Sequence, residues 1–157
     1  LEVAKGKFED VDVEEVIEKV HKADISVMAN YIFGLPGDTK ESIKKTYKLS
    51  EDLCTAGWNT YAAMALPGSK LYFDAKNQDI PLPDTYEGYS FHSYETLPLP
   101  NENLSASEIL KLRDEAFTEY HNSKKFLDLI EKKFGINARN NIVVMSKIKL
   151  KRKILGQ

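Results

Sequence analysis

The chain has 157 residues and a net charge of −2, with 42% hydrophobic and 29% charged residues. These values are typical of one globular domain with its own core. No apolar run approaches the roughly 18 residues that a transmembrane helix needs, and a single cysteine, Cys54, excludes an internal disulfide and favours a cytoplasmic location. The N-terminus has neither an initiating methionine nor an apolar leader, so we expect a segment of a longer protein without a signal peptide.

The first half predicts two β/α units. Asp12 is the expected cap of a helix over 13–23, whose buried face comprises Val13, Val16, Ile17 and Val20. A strand follows over Ile25–Phe33, and because both of its faces are largely apolar we expect helices to cover both. Asp38 and Glu41 have capping-box spacing and open a helix to about Ala56, which Gly57 ends.

A second strand is predicted over 59–65, followed by a short helix over 69–76. Two successive strand–helix units imply a parallel sheet. Ligands of such sheets bind at the carboxyl ends of the strands, where this chain has the turns Gly34–Gly37 and Pro67–Gly68.

The second half predicts mostly helices. Residues 84–103 form a long loop, here called the aromatic loop, which holds Tyr86, Tyr89, Phe91, His92 and Tyr94. Ser105 and Glu108 form a capping box for a helix to about His121. Further helices are expected over 124–134 and 137–154. The predicted division is therefore 1–83 for the β/α part and 84–157 for the aromatic loop and the helices.

Several residues are candidates for a site, each with a structural alternative. The glycines of the first turn let a ligand approach the backbone, or simply make a tight turn. Asn30 and Tyr61 bind a ligand or a neighbouring side chain. The aromatic loop is a lid over a substrate or a packing plug, and its His92 is a conceivable acid–base group or a structural histidine. His21 and His121 are expected at the surface and Cys54 in the core, without metal-ligand spacing.

The last eleven residues carry five positive charges and no acid, so the rest of the chain has a net charge of −7. This basic tail (residues 147–157) is interpreted as a solvated helix end. A nucleic-acid or partner patch is the alternative.

Two segments at this separation, Asn30–Thr39 (NYIFGLPGDT) and Ala65–Tyr72 (ALPGSKLY), resemble radical S-adenosylmethionine enzymes. The subgroup with an N-terminal cobalamin-binding domain is the most similar, and Leu112–Phe117 resembles its C-terminal helical region. The resemblance implies the C-terminal portion of a partial (β/α)6 TIM-like barrel, with the fifth and sixth strands in this chain. It also implies that the full-length protein reductively cleaves S-adenosylmethionine to a 5′-deoxyadenosyl radical.

By the same resemblance, the S-adenosylmethionine adenine contacts the fifth-strand positions and the end of the sixth strand. The implied cofactor-binding residues are Asn30, Ile32, Gly34, Leu35, Pro36, Gly37, Met64, Ala65 and Leu66. Tyr61 and His92 are substrate-side candidates.

The CxxxCxxC loop that holds the family's [4Fe–4S] cluster is absent from this sequence. We therefore expect no catalytic residue and no metal ligand here, an inactive fragment, and a partner in the remainder of its own longer chain. The resemblance implies that the cluster and S-adenosylmethionine are cofactors of that parent, and the subgroup adds cobalamin through an N-terminal domain that is absent from this sequence. Two rival functions stay open: a stand-alone binding or oligomerising module, because two strands are too few for a stable sheet, and a nucleic-acid-binding domain that uses the basic tail.

Overall fold

The computed structural model describes residues 11–157 and is mixed α/β, with mostly helical content and two parallel strands. The predicted β/α first half and mostly helical second half are confirmed to that extent. Residues 1–10 of the predicted 1–83 unit lie outside the described residues. The elements in chain order are α1 (Val13–Lys22), β1 (Met28–Phe33), α2 (Lys40–Leu53), β2 (Gly57–Ala62), α3 (Lys70–Asn77), α4 (Ala106–Asn122), α5 (Lys124–Phe134) and α6 (Ile136–Ser146).

The two strands pair in parallel, with Asn30 opposite Asn59 and Phe33 opposite Ala62. Both strands are shorter than predicted, since β1 begins at Met28 rather than Ile25 and β2 ends at Ala62 rather than Ala65. The crossover through α2 is the connection that a parallel pair requires.

One face of the sheet is buried and the other is open. The buried face carries Phe33, Trp58 and Ala62, which are 1–3% exposed and join side chains of α2, α4 and α5 in one core. On the opposite face Met28 and Ile32 are 62% and 48% exposed. The expectation that helices cover both faces of β1 is therefore wrong, since Met28 and Ile32 stay exposed on the second face of this strand.

Helix α1 has the predicted cap but not the predicted burial. The Asp12 carboxylate accepts the N–H of Glu15 (3.0 Å). No residue of α1 is buried, however, and Val13 and Val16 are 49% and 44% exposed. Open clefts of about 470 and 440 Å³ lie where α1 and the segment after it approach α2 and α5. The N-terminal part of the apolar stripe of α1 is thus uncovered within the described part of the chain.

Helix α2 begins one residue later than predicted. Thr39 is its N-cap and forms a capping box with Ser42, whereas Asp38 turns back toward the preceding loop. The helix ends at Leu53, and the C-cap residue Cys54 adopts a left-handed conformation with φ +46°. Gly57, predicted to end this helix, instead opens β2.

The capping boxes of the second half agree with the sequence, but its end does not. Ser105 and Glu108 cap α4, and α5 has the predicted bounds. Helix α6 stops at Ser146, after which residues 148–152 are irregular and 153–155 form one 3-10 turn. The predicted helix to Ile154 is wrong because the Lys153 N–H bonds to the Tyr94 carbonyl (3.0 Å) and so ties the basic tail to the aromatic loop.

None of the helices described between residues 11 and 157 has both the length and the apolarity to span a membrane.

Candidate functional site

Hydrogen bonds to a nearby side chain of the same segment fix the conformation of the Gly34–Gly37 turn. The Asp38 carboxylate accepts the N–H groups of Gly34 (2.9 Å) and Leu35 (3.1 Å) and the Ser42 hydroxyl (2.7 Å). The N–H groups of Gly34 and Leu35, at the carboxyl end of β1, therefore already have an acceptor in Asp38. An anion would have to displace this carboxylate to use them.

The end of the aromatic loop crosses the carboxyl ends of both strands. The Leu99 N–H bonds to the Ala63 carbonyl after β2 (2.8 Å). The Asn101 side-chain amide donates to the carbonyls of Leu35 (2.9 Å) and Asp38 (3.1 Å) after β1. This crossing leaves the open face of the sheet, rather than the strand ends, as the larger accessible surface.

Gly34 is required by packing as well as by conformation. Its φ is +84°, a region that favours glycine. A Cβ at this position would lie 2.7 Å from both Cδ1 and Cγ2 of Ile109, which is fully buried in α4. Gly37 has a similar φ of +87° with no atom within 4 Å of such a Cβ. The side of Gly34 that a side chain would occupy is therefore filled by α4.

Polar groups cluster on the open face of the sheet. The Asn59 amide donates to the Asn30 carbonyl oxygen (3.1 Å), and the Tyr61 hydroxyl lies 3.5 Å from the same oxygen, at the limit of a hydrogen bond. The three residues are solvent-accessible, so most of their donor and acceptor capacity faces outward. Ile32 is on the same face of β1 and adds an exposed apolar surface. Asn30 thus has a side-chain partner, and the face can still contact a planar polar ligand.

The segment after β2 is less accessible than the open face. Met64 and Ala65 are 8% and 3% exposed, and Ala65 packs in a small second core with Ala75 and Leu99. Leu66 is 49% exposed, and its carbonyl accepts the Ser69 N–H (3.0 Å). Leu66 therefore offers the larger surface of the three.

The aromatic loop reaches the open face through Phe91. Its ring lies 4.8 Å from the Tyr61 ring, centroid to centroid. The neighbouring His92 is exposed and instead lines a cleft of about 590 Å³ between α4 and the basic tail. Of the two substrate-side candidates, Tyr61 lies on the open face and His92 lines this other cleft.

A buried charge network was not predicted from the sequence. Arg113 Nε donates to the Thr60 carbonyl of β2 (2.9 Å), and its guanidinium also bonds to Asp114 (2.8 Å). Asp114 accepts two further bonds from Arg152, which has no exposed surface. In the sequence, Arg113 and Asp114 are two charged residues of a helix, and Arg152 is one cation of a basic run. Neither pattern predicts that the three side chains form one buried network.

His121 and Cys54 belong to the core beneath the sheet. His121 is 5% exposed, its Nδ1 lies 2.8 Å from the Phe117 carbonyl, and burial lowers its pKa. The expectation that it lies at the surface is wrong. Cys54 is buried as predicted, and burial raises the pKa of its thiol.

Within residues 11–157 no three His, Cys, Asp or Glu side chains are grouped so that they could hold a metal ion. No protein-family model matches the chain, and no curated protein matches it.

Proposed function

We propose that this chain is the C-terminal segment of a radical S-adenosylmethionine enzyme and supplies the last two β/α units of a partial (β/α)6 barrel. The observation that carries the proposal is the asymmetry of the sheet. Helices cover one face and the other face is open. At the edges, a side chain bonds to β2, whereas β1 has no second strand partner among residues 11–157.

The faces match what a barrel wall requires. In a (β/α) barrel the helices lie outside and the opposite strand face lines the interior. Here Phe33, Trp58 and Ala62 point toward the helices, whereas Asn30 and Tyr61 lie on the open face. The helical side is the one on which α2, α4 and α5 contribute to the core.

The edges give the direction in which the sheet would grow. The Gly57 N–H bonds to the Val27 carbonyl, and the Ala63 N–H bonds to the Phe33 carbonyl. Successive residues of a strand direct their backbone groups to alternate sides, so the even-numbered residues of β1 direct theirs away from β2. Among residues 11–157, β1 pairs with β2 alone. On the far side of β2, the Thr60 carbonyl is already bonded to Arg113. Further strands would therefore join at β1, which suits β2 as the final strand of the barrel.

The described residues fit the nucleoside part of S-adenosylmethionine but not an iron–sulfur cluster. The exposed Ile32 and Leu66 offer apolar contact, and the Asn30 and Asn59 amides offer hydrogen bonds to a planar base. Cys54 lies in the core and not on the open face, so the [4Fe–4S] ligands, like any cobalamin domain, are assigned to the rest of the parent protein.

In the parent, the cluster would supply the electron that cleaves S-adenosylmethionine. This chain's own residues would bind and orient the nucleoside on the open face, and the aromatic loop would exclude water above it. The proposed substrate is a small molecule. Oxidoreductase and methyl- or sulfur-transferase reactions are both compatible with this role.

The test uses the longer protein that carries this segment. Its sequence upstream of the segment should contain CxxxCxxC, and the reconstituted protein should release 5′-deoxyadenosine under reducing conditions. The substitution Ile32→Glu should weaken S-adenosylmethionine binding by about tenfold or more, which is roughly 1.4 kcal/mol. The control Val144→Glu changes an exposed apolar residue of α6 and should have no effect on binding. No 5′-deoxyadenosine release, or equal effects of the two substitutions, would refute the proposal.

The second candidate function is an oligomerising module. It is favoured by the uncapped edge of β1 together with the exposed Val13 and Val16 of α1. Light scattering of the isolated chain tests it, since a monomer at high concentration excludes self-association. The nucleic-acid alternative loses support because Arg152 is buried and Lys153 is paired with Glu95 (2.8 Å).

A further inference from the structure

The basic tail and the aromatic loop are joined through the buried side chain of Arg152. Its guanidinium donates to the Ser93 carbonyl and to the Thr96 hydroxyl, both at 3.0 Å. Its other two bonds go to the Asp114 carboxylate of α4, at 2.9 and 3.0 Å. One side chain therefore connects the tail, the loop and α4.

The environment of Arg152 makes this connection specific. Arg152 has no exposed surface, and Thr96 is 1% exposed. A buried guanidinium is tolerated only when its donors are paired, and a fork of two bonds to one carboxylate fixes its plane. A small shift of the loop would leave donors unpaired, so this part of the loop is held in one position.

The path from Arg152 to the open face is short. The Thr96 hydroxyl lies 2.5 Å from the Ser90 carbonyl, immediately before Phe91. Phe91 in turn contacts the Tyr61 ring on the open face. The Leu97 N–H bonds to the Gly88 carbonyl (2.9 Å), which closes this part of the loop on itself.

We propose that Arg152 is a positioning residue that holds the aromatic loop so that Phe91 stays against Tyr61, and that release of the tail withdraws Phe91 from the open face. The basic tail then acts as a latch, by which we mean that it fixes the position of the aromatic loop, and it is not merely a solvated charge cluster. The consequence for a bound ligand rests on the proposed function, but the ordering of the loop does not.

The first experiment measures loop order in the purified chain. Arg152→Ala should speed amide exchange at Leu97 and Lys153 by about tenfold or more and remove the nuclear Overhauser effect between the Phe91 and Tyr61 rings, while amides of α5 keep their exchange rates. The control Lys151→Ala changes the neighbouring exposed cation and should alter none of these readouts.

Two further measurements separate a latch from general stabilisation. Millimolar guanidinium, far below denaturing concentrations, should restore the ring contact in Arg152→Ala by filling the vacated position. Thr96→Val removes one of the two loop acceptors of Arg152 and also the bond from the Thr96 hydroxyl to the Ser90 carbonyl, but it keeps the pair with Asp114. It should therefore loosen the loop at Phe91 while the tail stays docked. An unchanged ring contact in either variant would overturn the proposal. So would global unfolding of both variants, or failure of guanidinium to rescue Arg152→Ala.

The last measurement uses the longer protein that carries the segment. Arg152→Ala should raise the Kd for S-adenosylmethionine by about tenfold, and guanidinium should reverse the change. If the unsubstituted protein does not bind S-adenosylmethionine, the proposed function fails although loop ordering by Arg152 stands. If it binds and Arg152→Ala leaves the Kd unchanged, the role of the latch in binding is refuted.

Discussion

Replacing Gly34 by alanine tests whether packing against α4 requires this glycine. A residue with a Cβ at φ +84° costs about 1–2 kcal/mol in backbone conformation. The new Cβ would also meet two carbons of the buried Ile109 at 2.7 Å, and such overpacking costs about 1–3 kcal/mol. We expect Gly34→Ala to lower the free energy of unfolding by about 2–5 kcal/mol, which is a large share of the stability of a domain this size.

Gly37→Ala is the matched control for this substitution. Its φ of +87° carries the same conformational cost, but no atom lies within 4 Å of the added Cβ. The gain from a less flexible unfolded chain is common to both changes, so the difference between them isolates the contact with Ile109. Urea denaturation should give a free energy of unfolding about 1–3 kcal/mol lower for Gly34→Ala than for Gly37→Ala.

A double substitution identifies the contact directly. Ile109→Val removes Cδ1, one of the two carbons at 2.7 Å, and should make Gly34→Ala less damaging in its background. Equal losses for Gly34→Ala and Gly37→Ala, or strict additivity with Ile109→Val, would refute the packing argument. Gly34 would then be required only by its backbone conformation, and a ligand would have room to approach it.

Three further outcomes are expected. Asp38→Ala should cost about 1–3 kcal/mol in urea denaturation, because two N–H groups of the turn lose their acceptor; a loss as small as that of a surface substitution would show that water replaces the carboxylate. Burial lowers the pKa of His121 below its usual 6.5, so the unfolded chain binds the proton more readily and stability should fall as the pH drops below about 6.5; His121→Gln should flatten that fall, and an equal slope would contradict the assignment. If the β1 edge drives self-association, light scattering should show that Met28→Lys weakens it and that Val144→Lys does not; equal weakening by both would exclude the edge.

Local signals in the sequence predicted the helix starts well. Asp12 and Ser105 are the predicted N-caps, since each needs only its own side chain and the amide three residues later. Asp38 was the exception, because its carboxylate is used by Gly34 and Leu35 and the cap passes to Thr39. Competition between two nearby sets of donors is not visible in a capping pattern.

Long-range contacts account for the features that were mispredicted. Lys149–Lys153 has good helix propensity, but the Arg152 guanidinium gains its partners from residues at least 38 positions away, so tertiary contacts override propensity. The apolar pattern of β1 indicated two covered faces, yet Met28 and Ile32 stay exposed within the described residues. A pattern shows which faces can be buried, and the elements present decide which are.

Helix α4 relates these separate observations to one another. Ile109, Arg113 and Tyr120 are buried and follow the spacing of one helical face. Ile109 fills the space beside the β1 turn, Arg113 bonds to β2, and the Tyr120 hydroxyl bonds to the Thr55 carbonyl before β2 (3.1 Å). Asp114, next to Arg113, holds the guanidinium of the tail. A displacement of α4 would therefore move the turn, the edge of β2 and the latch together, which is why substitutions on this helix face should alter the open face without contacting it.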